Sequence, residues 1–126
     1  NFTPAQVKEL SSTGLAHVGD GVYELLCRSY LVSKGGKTVL KLHNATVELV
    51  KAPTQAKFVE KIKPLLTEGE MDYFRRGKNA HTHAAPKSAT PREYALATGF
   101  ETLFGALYLL GRKERLMELF AICMED

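Results

Sequence analysis

The most informative segment of the chain is YALATGFETLFGALYLLG, which occupies positions 94–111. Glu101 is its only charged residue, and Phe100, Phe104 and Leu107 are among its apolar neighbours. A helix that is apolar almost all round is predicted to lie inside a bundle. An ionised carboxylate buried in such a helix is costly unless a partner offsets its charge. Glu101 is therefore hydrogen-bonded to a core group, turned to solvent, or part of a functional site.

A second long apolar segment, about residues 13–34, is likewise predicted to be buried and contains Gly19-Asp20-Gly21-Val22-Tyr23-Glu24. Asp20 and Glu24 are four residues apart, so their carboxylates share one helical face. Like charges at this spacing repel and favour a nearby cation, and hard oxygen ligands suit magnesium or manganese. The side chains predicted to point mainly toward the core are Leu15, Val18, Val22, Leu25 and Leu26.

Gly19 and Gly21 flank Asp20 at positions where glycine is unfavourable, since each costs about 1 kcal/mol relative to alanine inside a helix. Such glycines indicate the close approach of another backbone or of a ligand. Tight packing between helices explains them equally well, so the pattern predicts only that something comes near Asp20.

Helix boundaries are signalled clearly. Three capping boxes are predicted, at Thr3 to Gln6, Thr67 to Glu70 and Thr90 to Glu93. Gly77 and Gly111 stand where C-terminal caps are expected. The alternation of period two that indicates strands is absent.

These signals predict an all-α chain that forms a single domain over residues 1–126, with a basic loop over about 77–90. The helices are expected at about 4–10, 13–34, 38–51, 54–62, 68–76, 91–110 and 112–124.

Charge is concentrated in one part of the chain. The net charge is +3, but residues 75–92 alone carry +5, from Arg75, Arg76, Lys78, Lys87 and Arg92, with no acidic residue. A concentrated basic stretch can attract an anionic partner such as nucleic acid, although a basic loop can also be merely solvated.

No apolar run is long enough to span a membrane, and no secretory signal opens the sequence, so we expect a cytoplasmic protein. Cys27 and Cys123 are expected to be buried, reduced thiols.

The ordered set of motifs resembles the catalytic domain of the ribonuclease III family in its Mini form. The stretch Leu15–Glu24 resembles the signature helix of that family, and Phe100–Gly105 resembles its second catalytic helix. Between them, Arg76–Ala80 and Pro86-Lys87 are similar to the basic loop of the Mini form. Each motif alone is weak, but their order and spacing cover nearly the whole chain.

The resemblance implies a helical endonuclease domain that works as a homodimer and cuts double-stranded RNA in a valley at the dimer interface. It implies that Asp20 and Glu101 are catalytic and hold Mg²⁺, with Mn²⁺ able to substitute, and Glu24 is a further candidate ligand. The residues expected to contact RNA are Arg75, Arg76, Lys78, Asn79 and Lys87. The role implied for the Mini form is the maturation of ribosomal RNA precursors.

Two departures from the wider family stand out. Full-length ribonuclease III has acidic residues where this chain has Ala16 and Thr98, so water or Glu24 is expected to complete the metal coordination. We expect no double-stranded-RNA-binding domain after the last helix, which is what marks the Mini form. The basic loop is then expected to supply much of the contact with RNA.

Two other functions remain open at this stage. A non-catalytic helical RNA-binding module explains the basic loop but not Glu101 or the glycine-flanked Asp20. A metal phosphohydrolase acting on small nucleotides usually shows an adjacent His-Asp pair, and no such pair occurs here. His17 lies near the proposed site, while His81 and His83 lie in the loop, and none of the three has an assigned role.

Overall fold

The computed structural model describes residues 1–80 and 88–126, and in these ranges the chain is helical without β-strands. The helices are α1 (Pro4–Glu9), α2 (Ser12–Lys34), α3 (Val39–Val50), α4 (Ala52–Ile62), α5 (Glu68–Lys78), α6 (Pro91–Leu109) and α7 (Lys113–Met124), and a 3₁₀ turn (Lys63–Leu65) follows α4. The predicted all-α class is confirmed, and every predicted helix end falls within about two residues of the observed one.

All three predicted capping boxes form. In each, the threonine hydroxyl accepts a hydrogen bond from the backbone N–H three residues on, and that residue's side chain accepts one from the threonine N–H. These bonds satisfy backbone donors that the first turn of a helix leaves free. Local sequence chemistry therefore accounts for the starts of α1, α5 and α6.

One of the two predicted glycine caps is wrong. Gly111 does lie just beyond α6 with a φ of 74°, a left-handed conformation that glycine adopts easily. Gly77, in contrast, lies inside α5 and is buried. A β-carbon at Gly77 would come within 2.1 Å of Thr102 Oγ1, so this glycine allows α5 to approach α6 and does not end a helix.

Helix α6 forms the centre of the molecule and packs against α2, α4, α5 and α7. Its Phe100 and Phe104 rings stack at 4.4 Å, and Tyr23 of α2 meets both edge-on. The Tyr23 hydroxyl donates to the Leu49 carbonyl at 2.7 Å, which ties α3 to this aromatic cluster. The buried position predicted for α6 is therefore confirmed.

Backbone contact between α2 and α6 is unusually close. A β-carbon built on Gly19 would lie 1.7 Å from the Glu101 carbonyl oxygen, and one on Gly105 would lie 2.0 Å from that of Leu15. Gly21 has open space, since a β-carbon added there would have no neighbour within 4 Å. Helix packing therefore explains Gly19, whereas no described part of the chain explains Gly21.

Helix α2 is buried along one stripe only, which corrects the prediction that it is buried all round. The buried positions are Leu15, Ala16, Gly19, Tyr23, Cys27 and Leu31. Leu25, predicted to face the core, is 64% exposed because it lies on the side of α2 turned away from α6. It borders an apolar groove between α2 and α7 with a volume of about 550 Å³, which Val18, Tyr108 and Met117 also line.

A buried ion pair joins α5 to α7. Arg115 donates to both carboxylate oxygens of Glu70 at 2.8 Å and also to the Leu65 carbonyl. The Arg115 hydrogen bonds keep the pKa of Glu70 below its usual value, although burial opposes this shift. Such bidentate geometry makes burial of the carboxylate tolerable.

Cys27 and Cys123 are buried free thiols, as predicted. Within residues 1–80 and 88–126, no helix has the length and apolar character that crossing a lipid bilayer requires.

We predict that Gly19→Ala lowers the free energy of unfolding by roughly 2 kcal/mol or more, because the new methyl group meets backbone that cannot move aside cheaply. The matched control is Gly69→Ala, at a helical position of α5 where a β-carbon has open space, and we expect it to raise the free energy of unfolding by up to about 1 kcal/mol through helix propensity. Urea denaturation of the parent and both variants measures the difference, and equal stability of the two variants would contradict this account of the α2–α6 contact.

Candidate active site

Two carboxyl groups from different helices meet beside the close contact of α2 and α6. Asp20 follows Gly19 on α2 and is exposed, whereas Glu101 lies on α6 and is partly buried. The two carboxyl groups are close enough for the Asp20 charge to add to the effect of burial in raising the pKa of Glu101. The residues are 81 positions apart in sequence, and the glycine at position 19 is what allows the two helices to approach this closely. The two predicted catalytic carboxylates therefore do come together.

The environment of Glu101 disfavours its ionised form. Burial, followed by the nearby charge of Asp20, raises the pKa of Glu101 to about 8. A hydrogen bond from Gln55 acts in the opposite direction. Carboxyl groups whose pKa is strongly shifted, and which lie beside a second carboxyl group, are typical of functional sites.

Gln55 is a third component of the site, and none of the sequence motifs pointed to it. It lies in the first turns of α4, is only 1% exposed, and its Nε2 donates to Glu101 Oε2 at 3.4 Å. Its spacing from Val59 and Ile62 puts Gln55 on the buried face of α4, so helical periodicity could have identified it as a buried amide that needs a partner.

Glu24 is directed elsewhere. Its carboxylate pairs with Arg28, one turn along α2, at 2.8 Å, and both side chains are well exposed. In the part of the chain that the structure describes, no three histidine, cysteine or acidic side chains cluster as a metal site would require. The observed arrangement is thus a carboxylate pair with an amide beside it.

The carboxylate pair suits a divalent metal ion. Mg²⁺ retains several waters and is commonly bound by one or two protein carboxylates together with substrate phosphates. A cation beside Asp20 and Glu101 would offset the Asp20 repulsion that, in addition to burial, raises the pKa of Glu101. Ala16 is buried, and the Thr98 hydroxyl donates to the Tyr94 carbonyl of its own helix, so neither position supplies a further acidic ligand.

The predicted RNA-binding residues have mixed surroundings. Arg75 is exposed near Asp72, at 3.7 Å, and Lys78 and Asn79 lie at the C-terminal end of α5. Arg76 turns inward, and its Nη2 donates to the Leu10 carbonyl at 2.7 Å. Its Nη1 is buried without a hydrogen-bond partner among the described residues. Arg76 therefore joins α5 to the end of α1.

The remaining sequence predictions concern one lysine and three histidines. Lys87, His81 and His83 lie outside the described residues. His17 is exposed and lines the apolar groove beside Leu25.

The raised pKa of Glu101 predicts a specific pH dependence of stability in the absence of divalent cations. The folded protein holds the Glu101 proton up to about pH 8, while the unfolded chain releases it near pH 4.5. The free energy of unfolding should therefore fall as pH rises between these values, by roughly 5 kcal/mol. Glu101→Gln should remove this loss and become more stable than the parent at pH 8. Denaturation in chelator measures this, and parallel pH profiles would contradict it.

Comparisons with known proteins agree with one another. The family model of the ribonuclease III domain matches residues 13–112. The chain is similar to Mini-ribonuclease 3 of Clostridium tetani, at 43% identity over 94% of this chain and 79% of that protein. It is similar to Mini-ribonuclease 3 of Symbiobacterium thermophilum at 49% identity, over 83% and 81% of the two chains.

A solved structure supports the same conclusion. The fold matches the crystal structure of a protein from Fusobacterium nucleatum with a TM-score of 0.86 and 30% identity, over 94% of this chain and 96% of that one. One conclusion follows from the helical architecture, from the carboxylates on α2 and α6, and from the match over residues 13–112. The chain belongs to the ribonuclease III family and groups with the Mini-ribonuclease 3 proteins.

Proposed function

We propose that this endoribonuclease of the ribonuclease III family cleaves double-stranded RNA with a divalent metal ion, Mg²⁺ or Mn²⁺, held by Asp20 and Glu101. The observation that carries the proposal is the meeting of these two carboxyl groups, one of which has a pKa raised to about 8. A fold that keeps such an unfavourable pair has a use for it, because replacing Glu101 by a neutral residue would relieve the cost.

The roles of the two side chains follow from their exposure. Asp20 is exposed and can reach a phosphate at the surface, whereas Glu101 is partly buried and accepts a hydrogen bond from Gln55 of α4. When bound, a divalent cation supplies Lewis-acid activation of water and offsets negative charge on the scissile phosphate. Asp20 and Glu101 would hold such a cation.

Contacts to RNA are proposed for two basic residues in the second half of α5, Arg75 and Lys78, for the amide of Asn79 that follows them, and for Lys87. Lysine and arginine contacts to phosphates position a duplex without reading its sequence, as A-form RNA recognition requires. Arg76 is the least suited member of the proposed set, because its Nη2 donates to the Leu10 carbonyl and its Nη1 is buried.

A homodimer is proposed through the groove between α2 and α7. The groove is mostly apolar, and Leu25 and Met117 beside it are 64% and 50% exposed. Gly21 lies in the same groove with no neighbour in its own described chain, so a second copy of α2 could approach closely there. Large contiguous apolar patches of this kind mark association surfaces.

A ribosomal RNA precursor is proposed as the physiological substrate and the cytoplasm as the location, in keeping with the Mini-type resemblance. The alternative of a non-catalytic RNA-binding module leaves the Asp20–Glu101 pair unexplained. The alternative of a small-nucleotide hydrolase would need several metal ligands together, and the described residues contain no such group.

We expect Asp20→Asn and Glu101→Gln each to lower the rate of duplex cleavage by at least about 100-fold, because each removes half of the charge that holds the metal. Binding of the duplex should change little. The assay uses a long labelled RNA duplex with Mg²⁺ or with chelator, and a ribosomal precursor stem as a second substrate.

The matched control is Glu60→Gln, the same substitution at an exposed position of α4. Glu24→Gln separates a third metal ligand from a simple partner of Arg28, since only a ligand would lower cleavage strongly. Parent-like turnover of either Asp20→Asn or Glu101→Gln would refute the assignment, and tight duplex binding without cleavage by the parent would favour the non-catalytic module.

The dimer is tested by placing a charge in the groove. Leu25→Glu should shift the protein from dimer to monomer in sedimentation equilibrium, because a carboxylate would be buried without a partner. The control is Leu40→Glu, which alters an equally exposed leucine (68%) on α3 outside the groove. A monomeric parent, or the same effect from both variants, would show that this groove is not the dimer interface.

A further inference from the structure

We propose that Gln55 is a positioning residue, which holds the Glu101 carboxylate in the orientation needed to share one divalent cation with Asp20. The inference rests on the proposed function, because it concerns the same metal site. It assigns a role to a residue of α4, whereas the two proposed catalytic residues lie on α2 and α6.

The first argument is the position of the amide. Gln55 is 1% exposed, yet it is the only described side chain that donates a hydrogen bond to Glu101, through Nε2 to Oε2 at 3.4 Å. Buried amides retain a partner because an unpaired one is unfavourable. The Gln55 side chain is thereby committed to the carboxylate and not to solvent.

The second argument is the rigidity of its support. The Gln55 N–H donates to the Lys51 carbonyl at 3.1 Å, within the first turn of α4. Val59 and Ile62 anchor the same face of α4 in the core. An amide held this way can restrict the rotamer of Glu101, as partners of metal-binding carboxylates commonly do.

The third argument is the choice of a neutral donor. A lysine or arginine at this position would bring its own positive charge and compete with a cation, and a glutamate would add a third negative charge next to Asp20 and Glu101. An apolar side chain would leave the buried carboxylate without its donor. An amide orients one carboxylate oxygen and leaves the charge of the pair available to the metal.

A purely structural role makes a different prediction. If Gln55 only satisfies a buried carboxyl group, its loss lowers stability without altering how strongly the folded protein binds metal. If it positions Glu101, metal affinity falls even in a variant that is fully folded. The decisive quantity is therefore the affinity for the metal alone, measured without RNA.

The experiment compares the full chain with Gln55→Met, which preserves the approximate volume and removes the donor, and with Gln55→Asn, which keeps the amide one methylene too short. The control is Thr54→Val, which removes a neighbouring hydrogen bond that does not reach Glu101. Circular dichroism checks folding, and calorimetric titration with Mn²⁺ and with Mg²⁺ measures metal affinity.

We expect Gln55→Met and Gln55→Asn to bind metal about 10-fold more weakly, whereas Thr54→Val binds like the parent. In duplex cleavage, kcat at fixed Mg²⁺ should fall about 10-fold with little change in KM, and excess Mg²⁺ should restore part of it. A folded variant of either kind with parent-like metal affinity overturns the proposal. A crystal structure of the Mn²⁺-bound parent with the Gln55 amide out of hydrogen-bond range of Glu101 overturns it too, independently of any variant.

Glu101→Gln in the same titration separates this inference from the proposed function. If Glu101→Gln loses metal binding while the Gln55 variants keep it, only the role of Gln55 is wrong. If Glu101→Gln binds and cleaves like the parent, the proposed metal site itself is wrong.

Discussion

The close approach of α2 and α6 is the contact on which the candidate site depends. A β-carbon at Gly19 would lie 1.7 Å from the Glu101 carbonyl oxygen, so only glycine permits the observed distance between the two backbones. Because Asp20 follows Gly19 directly, the same contact carries its carboxyl group to Glu101. Packing of the core and assembly of the site are therefore consequences of one backbone contact.

That contact has an energetic cost that the rest of the structure must offset. Burial and the Asp20 charge disfavour ionisation of Glu101, while the Gln55 amide favours it. The surrounding core, with its stacked Phe100 and Phe104 rings, provides the stability that allows such a group to persist. Natural proteins commonly tolerate an unfavourable local arrangement where a function needs it.

The two sides of α2 have different tasks. One stripe, which includes Leu15, Tyr23 and Cys27, packs in the core. The other borders the α2–α7 groove, where Leu25 is exposed and Gly21 has no neighbour within its own described chain. If a second copy covers this groove, dimer formation and the metal site are linked through one helix, since Asp20 lies between Gly19 and Gly21.

Helix positions and several helix starts followed from local sequence, because capping boxes, prolines and apolar periodicity act over a few residues and need no distant partner. Asp20 and Glu101 were identifiable for a similar reason: a carboxylate without an obvious partner in an apolar helix is visible in the sequence alone.

Contacts between helices decided the remainder. Gly77 was mistaken for a cap because its neighbour is Thr102 of another helix, and Leu25 was assigned to the core because an apolar stripe does not reveal which side a neighbour will cover. Gln55 became part of the site only when α4 packed against α6, since a hydrogen bond across 46 residues depends on tertiary geometry that no local pattern encodes.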